Sequence, residues 1–266
     1  MLKLLGGVCG VLLSLQASAA AYDCLIEPTQ AIDVGSPVVG LLDKVYVRRG
    51  ERVAKGQVLA TLESRAEQAA ADLAYFRSRA TGPTLSAENK IEFAARKFQR
   101  RAQMALEKLM STQDRDDAEA ELKLAEADLQ VARENRQLAE IEHRQQASLL
   151  ALRTLLSPFD GVVVDQLLYP GEVVEPTGSK KTILKLAQLD PLRVHVILPM
   201  SAFRKVSTDM NAVVTPEMPV GGSYPAKVKT VDKLIDAASG TFAVFLEMRN
   251  TQLRIPAGVK CKAEFR

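Results

Sequence analysis

The sequence predicts an elongated α+β protein: a long antiparallel α-helical hairpin inserted into a split β-sandwich, followed by a small β-barrel. Three observations carry that prediction. Residues 64–155 form a nearly continuous run of strong helix formers. The segments flanking this run repeat one another. From residue 189 onward the chain alternates apolar and polar side chains. The boundaries follow as residues 1–20 for an export signal, 21–63 for an N-terminal strand and first half-sandwich, 64–155 for the hairpin, 156–188 for the second half-sandwich, and 189–266 for the barrel.

Within the helical run, apolar residues recur at alternating steps of three and four, the spacing of a coiled coil. One stripe is Ile91, Ala94, Phe98, Ala102, Ala105 and Leu109. Later come Ala118, Leu122, Ala125, Leu129 and Ala132, beside a second stripe of Leu124, Ala127, Val131, Leu138 and Ile141. The pattern breaks near residues 110–114, where Ser111, Thr112 and Asp114 are N-cap candidates before an acidic turn of Asp116, Asp117 and Glu119. A tight reversal is expected there. The second arm, at about 1.5 Å per residue, reaches roughly 65 Å. Surplus residues of the first arm fall in "ATGPTLS", where Gly82 and Pro83 should break the helix and Ser86 should cap its resumption.

Before the helical run, strand candidates at 38–39, 44–47 and 58–62 are separated by the turns "RRGE" and "AKGQ". After it, "SPFDGVVVDQLLYPGEVV" matches "SPVVGLLDKVYVRRGERV". Ser36 aligns with Ser157, Gly40 with Gly161, Gly50 with Gly171, and Glu51 with Glu172. Neither half holds enough apolar residues to fold alone, so the two should close on each other as one flattened sandwich at the base of the hairpin. Beyond it, Leu192, Val194, Val196 and Leu198 alternate along a strand, and five or six such strands with one short helical "MSAFRKV" make a small barrel.

Composition excludes several functions. The net charge is +3 and no basic run is interleaved with aromatics, so nucleic-acid binding is not expected. His143 and His195 are the only histidines and have no clustered partners, so neither a metal site nor a cofactor is expected. Asp160, Asp165 and Asp236 show no spacing suited to acid–base catalysis, and no enzymatic activity is expected. Lys3, the apolar "LLGGVCGVLLSL" and the "ASA" at 17–19 read as a cleavable secretory signal, with Cys9 inside the apolar core rather than at a lipidation position. Removal of the signal leaves Cys24 and Cys261, which in an oxidising compartment either pair or stay as two buried thiols.

At this point the halves resemble a split lipoyl/biotinyl domain with a hairpin inserted between them. That arrangement is similar to the periplasmic adaptor subunits (membrane fusion proteins, HlyD-like) of tripartite efflux systems. The carrier-domain junction that would hold a modified lysine is taken up by the insertion, and Lys55 in "VAKGQ" reads as a solvated turn residue. The tip sharpens the resemblance. Adaptors of resistance-nodulation-division (RND) pumps share an Arg, a Leu four residues on and a Ser seven later; here Arg100, Met104 and Ser111 stand at those spacings, with Asp116 and Ala118 in register after them. Met for Leu conserves volume. The stretch "AASGTFAVFLEMRNTQLRIPAGV" is similar to the adaptor barrel's Ser-Gly-Thr strand and closing turn, with Val259 in the family's Met position.

The resemblance implies a periplasmic, non-enzymatic adaptor linking an inner-membrane transporter, RND type first, to a TolC-like outer-membrane duct. Arg100, Met104 and Ser111 would dock on the duct, and copies would assemble in a ring of six. Such adaptors continue past the barrel into a membrane-proximal domain, whereas this sequence ends at Arg266, which implies a reduced adaptor. The N-terminal "AYDCLIEPTQ" would pair beside the last strand and bring Cys24 toward Cys261. Rival readings are an adaptor of an ATP-driven or type I secretion exporter, a lipoyl or biotin carrier, and a periplasmic coiled-coil scaffold.

Overall fold

The structure, a computed structural model, describes residues 20–178 and 181–266. Residues 1–19, which hold nearly all of the expected export signal, lie outside the described residues. Numbered in chain order, the elements are β1 (Ala21–Val34), β2 (Gly40–Val45), β3 (Arg52–Val53), β4 (Val58–Leu62), α1 (Arg65–Ser78), α2 (Gly82–Leu106), α3 (Thr112–Ala151), β5 (Thr154–Leu156), β6 (Gly161–Gln166), β7 (Val173–Val174), β8 (Leu184–Pro199), β9 (Asn211–Pro216), β10 (Tyr224–Val231), β11 (Thr241–Met248) and β12 (Lys260–Phe265). A single 3₁₀ turn, Met200–Ala202, follows β8.

Alternation dictates the barrel. Leu192, Val194, Val196 and Leu198 all point inward from β8 and are fully buried, as are Val244 and Leu246 of β11. Strands pair in the order β1-β12-β9-β10-β11-β8, and β8 pairs back to β1, which closes a six-stranded barrel. The N-terminal segment is therefore a barrel stave, running from Ala21↔Glu264 to Leu25↔Lys260 against β12. Cys24 and Cys261 are directly opposed in that register and are joined as a disulfide.

Two long strands carry the barrel into the sandwich. β1 and β8 stay paired from Cys24↔Val196 down to Val34↔Leu184, with an irregularity between Pro28 and Gln30. Residue 189 thus lies inside a continuous strand. At this waist the buried Asn250 donates to the carbonyls of Leu189 (3.0 Å) and Ile255 (2.9 Å), while its own side-chain oxygen accepts from Ile255 N (3.2 Å) and its backbone N donates to Asp190 Oδ1 (2.8 Å). A buried amide with all these bonds made is a fixed strut. Arg52 of the sandwich reaches the same loop through the carbonyl of Gln252 (3.1 Å).

The sandwich is two copies of one motif interlocked. Ser36 Oγ donates to the carbonyl of Val38 (2.6 Å), and Ser157 Oγ repeats the bond to Phe159 (2.7 Å). Gly40 opens β2 and Gly161 opens β6. Gly50 N donates to Val163 O of the other half (2.8 Å), and Gly171 N donates to Leu42 O (2.8 Å). Both glycines have φ near +90°, 84° and 94°, a conformation side chains with a Cβ resist. Glu51 and Glu172 each accept from a backbone N–H three residues earlier, at Arg48 (2.9 Å) and Tyr169 (2.7 Å). The strand layout departs from expectation before and within β2, which runs over 40–45 rather than 44–47. Residues 37–38 are a bend in which Ser36 Oγ accepts from Val38 N, 38–39 are not a strand, and the strand begins at Gly40.

The helical insertion leaves this base between β4 and β5. Ion pairs Arg77–Glu142 (3.4 Å), Lys90–Asp128 (3.3 Å) and Lys97–Glu121 tie α3 to α1 and α2. Partner numbers fall on α3 as they rise on the other side, so α3 runs antiparallel to both. Alanines form the contact: Ala71, Ala74, Ala87, Ala94, Ala118 and Ala125 are buried.

Two boundaries are corrected. The break lies at residues 79–81, and α2 starts at Gly82 with Pro83 in its first turn, where a missing N–H costs nothing. Ser86 is inside the helix rather than its cap. At the other end α3 stops at Ala151; Leu155 belongs to β5, where it pairs with Ala60 and is buried in the sandwich core. Arg153, just past α3, anchors the base by donating to Glu67 of α1 (2.5 Å) and to the carbonyl of Val39 (3.0 Å).

Candidate functional site

The far end of the helical insertion is the candidate site. Helix α2 ends in a C-terminal turn in which Leu109 N donates to Met104 O (2.9 Å) and Lys108 N donates to Ala105 O (3.1 Å). This bond pair requires a left-handed residue between them, and Lys108 takes it at φ 58°. Ser111 then caps α3: its Oγ accepts from Asp114 N (3.1 Å) and donates to Asp114 Oδ2 (2.6 Å). Of the three predicted cap residues, Ser111 is the N-cap and Asp114 the acid of the first turn.

The reversal is braced from inside. Arg101 Nη1 crosses from α2 to the carbonyl of Asp114 at the start of α3 (3.1 Å). Arg100, its neighbour, faces outward and its guanidinium has no partner among the described residues. Met104 lies one turn further along the same face and is 40% exposed. Leu106 and Leu109 complete an apolar crown at 85% and 69% exposed. Arg100 and Met104 are therefore brought together on one face, while Ser111 sits in the turn with its hydroxyl engaged. An unpartnered guanidinium beside flexible and branched apolar side chains suits contact with another protein.

Sequence reasoning did not single out Leu106, Lys108 or Arg101. Leu106 falls outside the seam spacing, while Leu109, the last member of the predicted stripe, lies past the end of α2 and is exposed as well. Arg101 is one cation among several in "RKFQRR".

The remaining residues take structural roles. Asp160 Oδ1 accepts from Lys55 N (2.7 Å), which fixes the exposed turn around that lysine. Asp165 lies 3.6 Å from Arg49. Asp236 accepts from Ala238 N and from Ser239, and these bonds hold its carboxyl below the usual carboxylate range. His195 stacks on Phe245 at 4.9 Å, with Glu27 4.0 Å from Nδ1. Among the described residues, no three His, Cys, Asp or Glu side chains gather in a group that could hold a metal ion. None of the described helices is long and apolar enough to cross a membrane.

A barrel joined to a split sandwich with helices inserted between its halves defines the class, and comparison with known proteins agrees. The family model for the CzcB-like, barrel-sandwich hybrid domain matches residues 30–187, and the chain belongs to that family. It is 24% identical over 220 residues to the pyoverdine export membrane fusion protein PvdR of Pseudomonas aeruginosa, covering 82% of this chain and 56% of that one. It is also 24% identical over 171 residues to the macrolide export protein MacA of Yersinia pestis, covering 64% and 46%. The chain thus spans about half the length of these relatives. Among solved structures, MacA from Actinobacillus actinomycetemcomitans superposes with a TM-score of 0.77 at 23% identity, covering 92% of this chain and 77% of that one. The membrane fusion protein Spr0693 from Streptococcus pneumoniae R6 gives 0.66 at 18% identity, covering 93% and 99%. These likenesses establish the fold.

Proposed function

We propose that this chain is a periplasmic adaptor of a tripartite efflux system, exported by its N-terminal signal, in which the helices act as one hairpin that docks on a TolC-like outer-membrane duct. The observation that carries the reading is the tip. A capped, internally braced reversal presents Arg100, Met104, Leu106 and Leu109 to solvent at the end of a 40-residue helix. At about 1.5 Å per residue that helix projects the crown roughly 60 Å from the sandwich. PvdR and MacA are both named for export, which supports the setting.

In this reading the protein performs no catalysis. Its work is geometric: copies line up around a conduit, six to a ring, with the barrel toward an inner-membrane transporter. The Arg100, Met104, Ser111 spacing favours an RND-type transporter over an ATP-driven one. A photo-reactive residue at Met104, in intact cells, tests the docking step. Capture of an outer-membrane duct protein is the expected result, and capture that persists when the RND transporter gene is deleted but fails to co-purify any RND subunit in wild-type cells would move the transporter assignment to another class. A tip that captures only copies of itself would overturn the docking mechanism.

A further inference from the structure

The break between α1 and α2 opens a cleft of about 690 Å³ against α3. Tyr75 and Arg79 line one wall, and Arg136, Glu140, His143 and Arg144 line the other. We propose that this cleft is a binding site for a multiply charged oxyanion, of the phosphate or polycarboxylate class. The proposal stands apart from the adaptor reading, since it needs neither a duct nor a transporter.

Charge is the first observation. Three arginines face a single glutamate, in a chain whose whole net charge is +3. Lys97–Glu121 and Lys90–Asp128 are cations matched across the seam and Lys123–Glu119 is one matched on its own helix, whereas Arg100 at the tip is unmatched. In the cleft none of the three arginines is matched across the seam among the described residues. The guanidinium groups of Arg79 and Arg144 have no carboxylate partner among the described residues, and Arg136 reaches only Glu140 of its own helix, at 3.7 Å.

Position is the second. Arg136 continues the seam series Ala118, Leu122, Ala125, Leu129, Ala132, where a coiled coil places small or apolar residues. It stands opposite residues 79–81, where the helical partner is missing. A guanidinium in a seam position is favoured where an anion fills the gap facing it. Preorganisation is the third. Arg79 lies over the Tyr75 ring at 5.5 Å, and that ring in turn meets His143 at 5.2 Å, so the wall is built rather than frayed. Arginine forks bind phosphate and carboxylate oxygens in pairs, which sets the ligand class.

Calorimetric titration of the full mature chain with inorganic pyrophosphate, and separately with citrate, tests this at physiological salt. Saturable binding of one equivalent of either is expected; preference for pyrophosphate assigns a phosphate-type ligand and preference for citrate a polycarboxylate. Arg136→Gln and Arg144→Gln should each weaken binding roughly 5- to 10-fold, as expected for loss of a charge-assisted bond at a solvated site. Arg96→Gln removes the same charge from an exposed position on α2 and should change affinity less than about twofold. Circular dichroism of each variant confirms that the helices persist. Absence of saturable binding, or an equal loss in Arg96→Gln, overturns the proposal.

Discussion

The barrel and the helical insertion solve burial in different ways. In the barrel, inward residues of β8 and β11 are large and fully sealed, and a disulfide joins the strands that close it. Along the helices the sealed residues are almost all alanines, and several large apolar side chains of α3 stay outside: Leu124, Val131 and Leu138 recur every seven residues and are more than half exposed. The predicted stripes thus separate cleanly. The series through Ala118 and Ala125 packs on α2, while the series through Leu124 stays more than half exposed. The barrel buries its large side chains within itself; a helical arm that leaves large apolar side chains exposed has surface to offer a partner.

Paired truncations should expose that contrast most strongly. Leu198→Ala removes a fully buried barrel side chain and should cost about 2–5 kcal/mol in denaturant unfolding, because the barrel cannot collapse around the void. Leu124→Ala removes a side chain that is 69% exposed and should change stability by less than about 0.5 kcal/mol. Equal losses would mean that the outer seam of α3 is filled in the free protein, and the distinction between the two regions would fail.

The disulfide gives a smaller test confined to one region. Cys24 and Cys261 are separated by 237 residues in sequence, so the cross-link restrains nearly the whole unfolded chain. Replacing both with alanine should cost about 2–4 kcal/mol. Loss should appear in amide exchange of β1 and β12, with protection of α3 unchanged. Loosening of α3 by the same amount would show that arm and barrel unfold as one unit.

Much of this was legible because it rests on local chemistry that recurs. The matched Ser-Pro and Gly-Glu pairs of the halves each make the same bond twice, so a repeat in sequence became a repeat in hydrogen bonding. Alternation in β8 needed only period two. What stayed hidden depends on distant partners. Asn250 reads as an ordinary loop residue until Leu189 and Asp190 are brought beside it, and Arg153 until Glu67 and Val39 are. The helix break was placed a few residues late because Gly-Pro looks like a terminator, whereas at the start of a helix proline is at home. At the tip, Arg100, Met104 and Ser111 were found by spacing, but Leu106 and Lys108 declare themselves only once the turn is drawn.

A small gain in stability is expected at that turn. Lys108 holds a left-handed conformation at φ 58° so that Leu109 N and Lys108 N can close the end of α2. A lysine there bears a steric cost that glycine lacks, offset in part by glycine's greater freedom in the unfolded chain. Lys108→Gly should therefore stabilise the reversal by about 0.5–1 kcal/mol, read as slower amide exchange at Leu109 and in the first turn of α3. The barrel should not respond. A destabilised tip would mean that the lysine side chain itself supports the turn, which would place a second cation beside Arg100 in the surface offered to a partner and change the chemistry expected of that partner toward carboxylates.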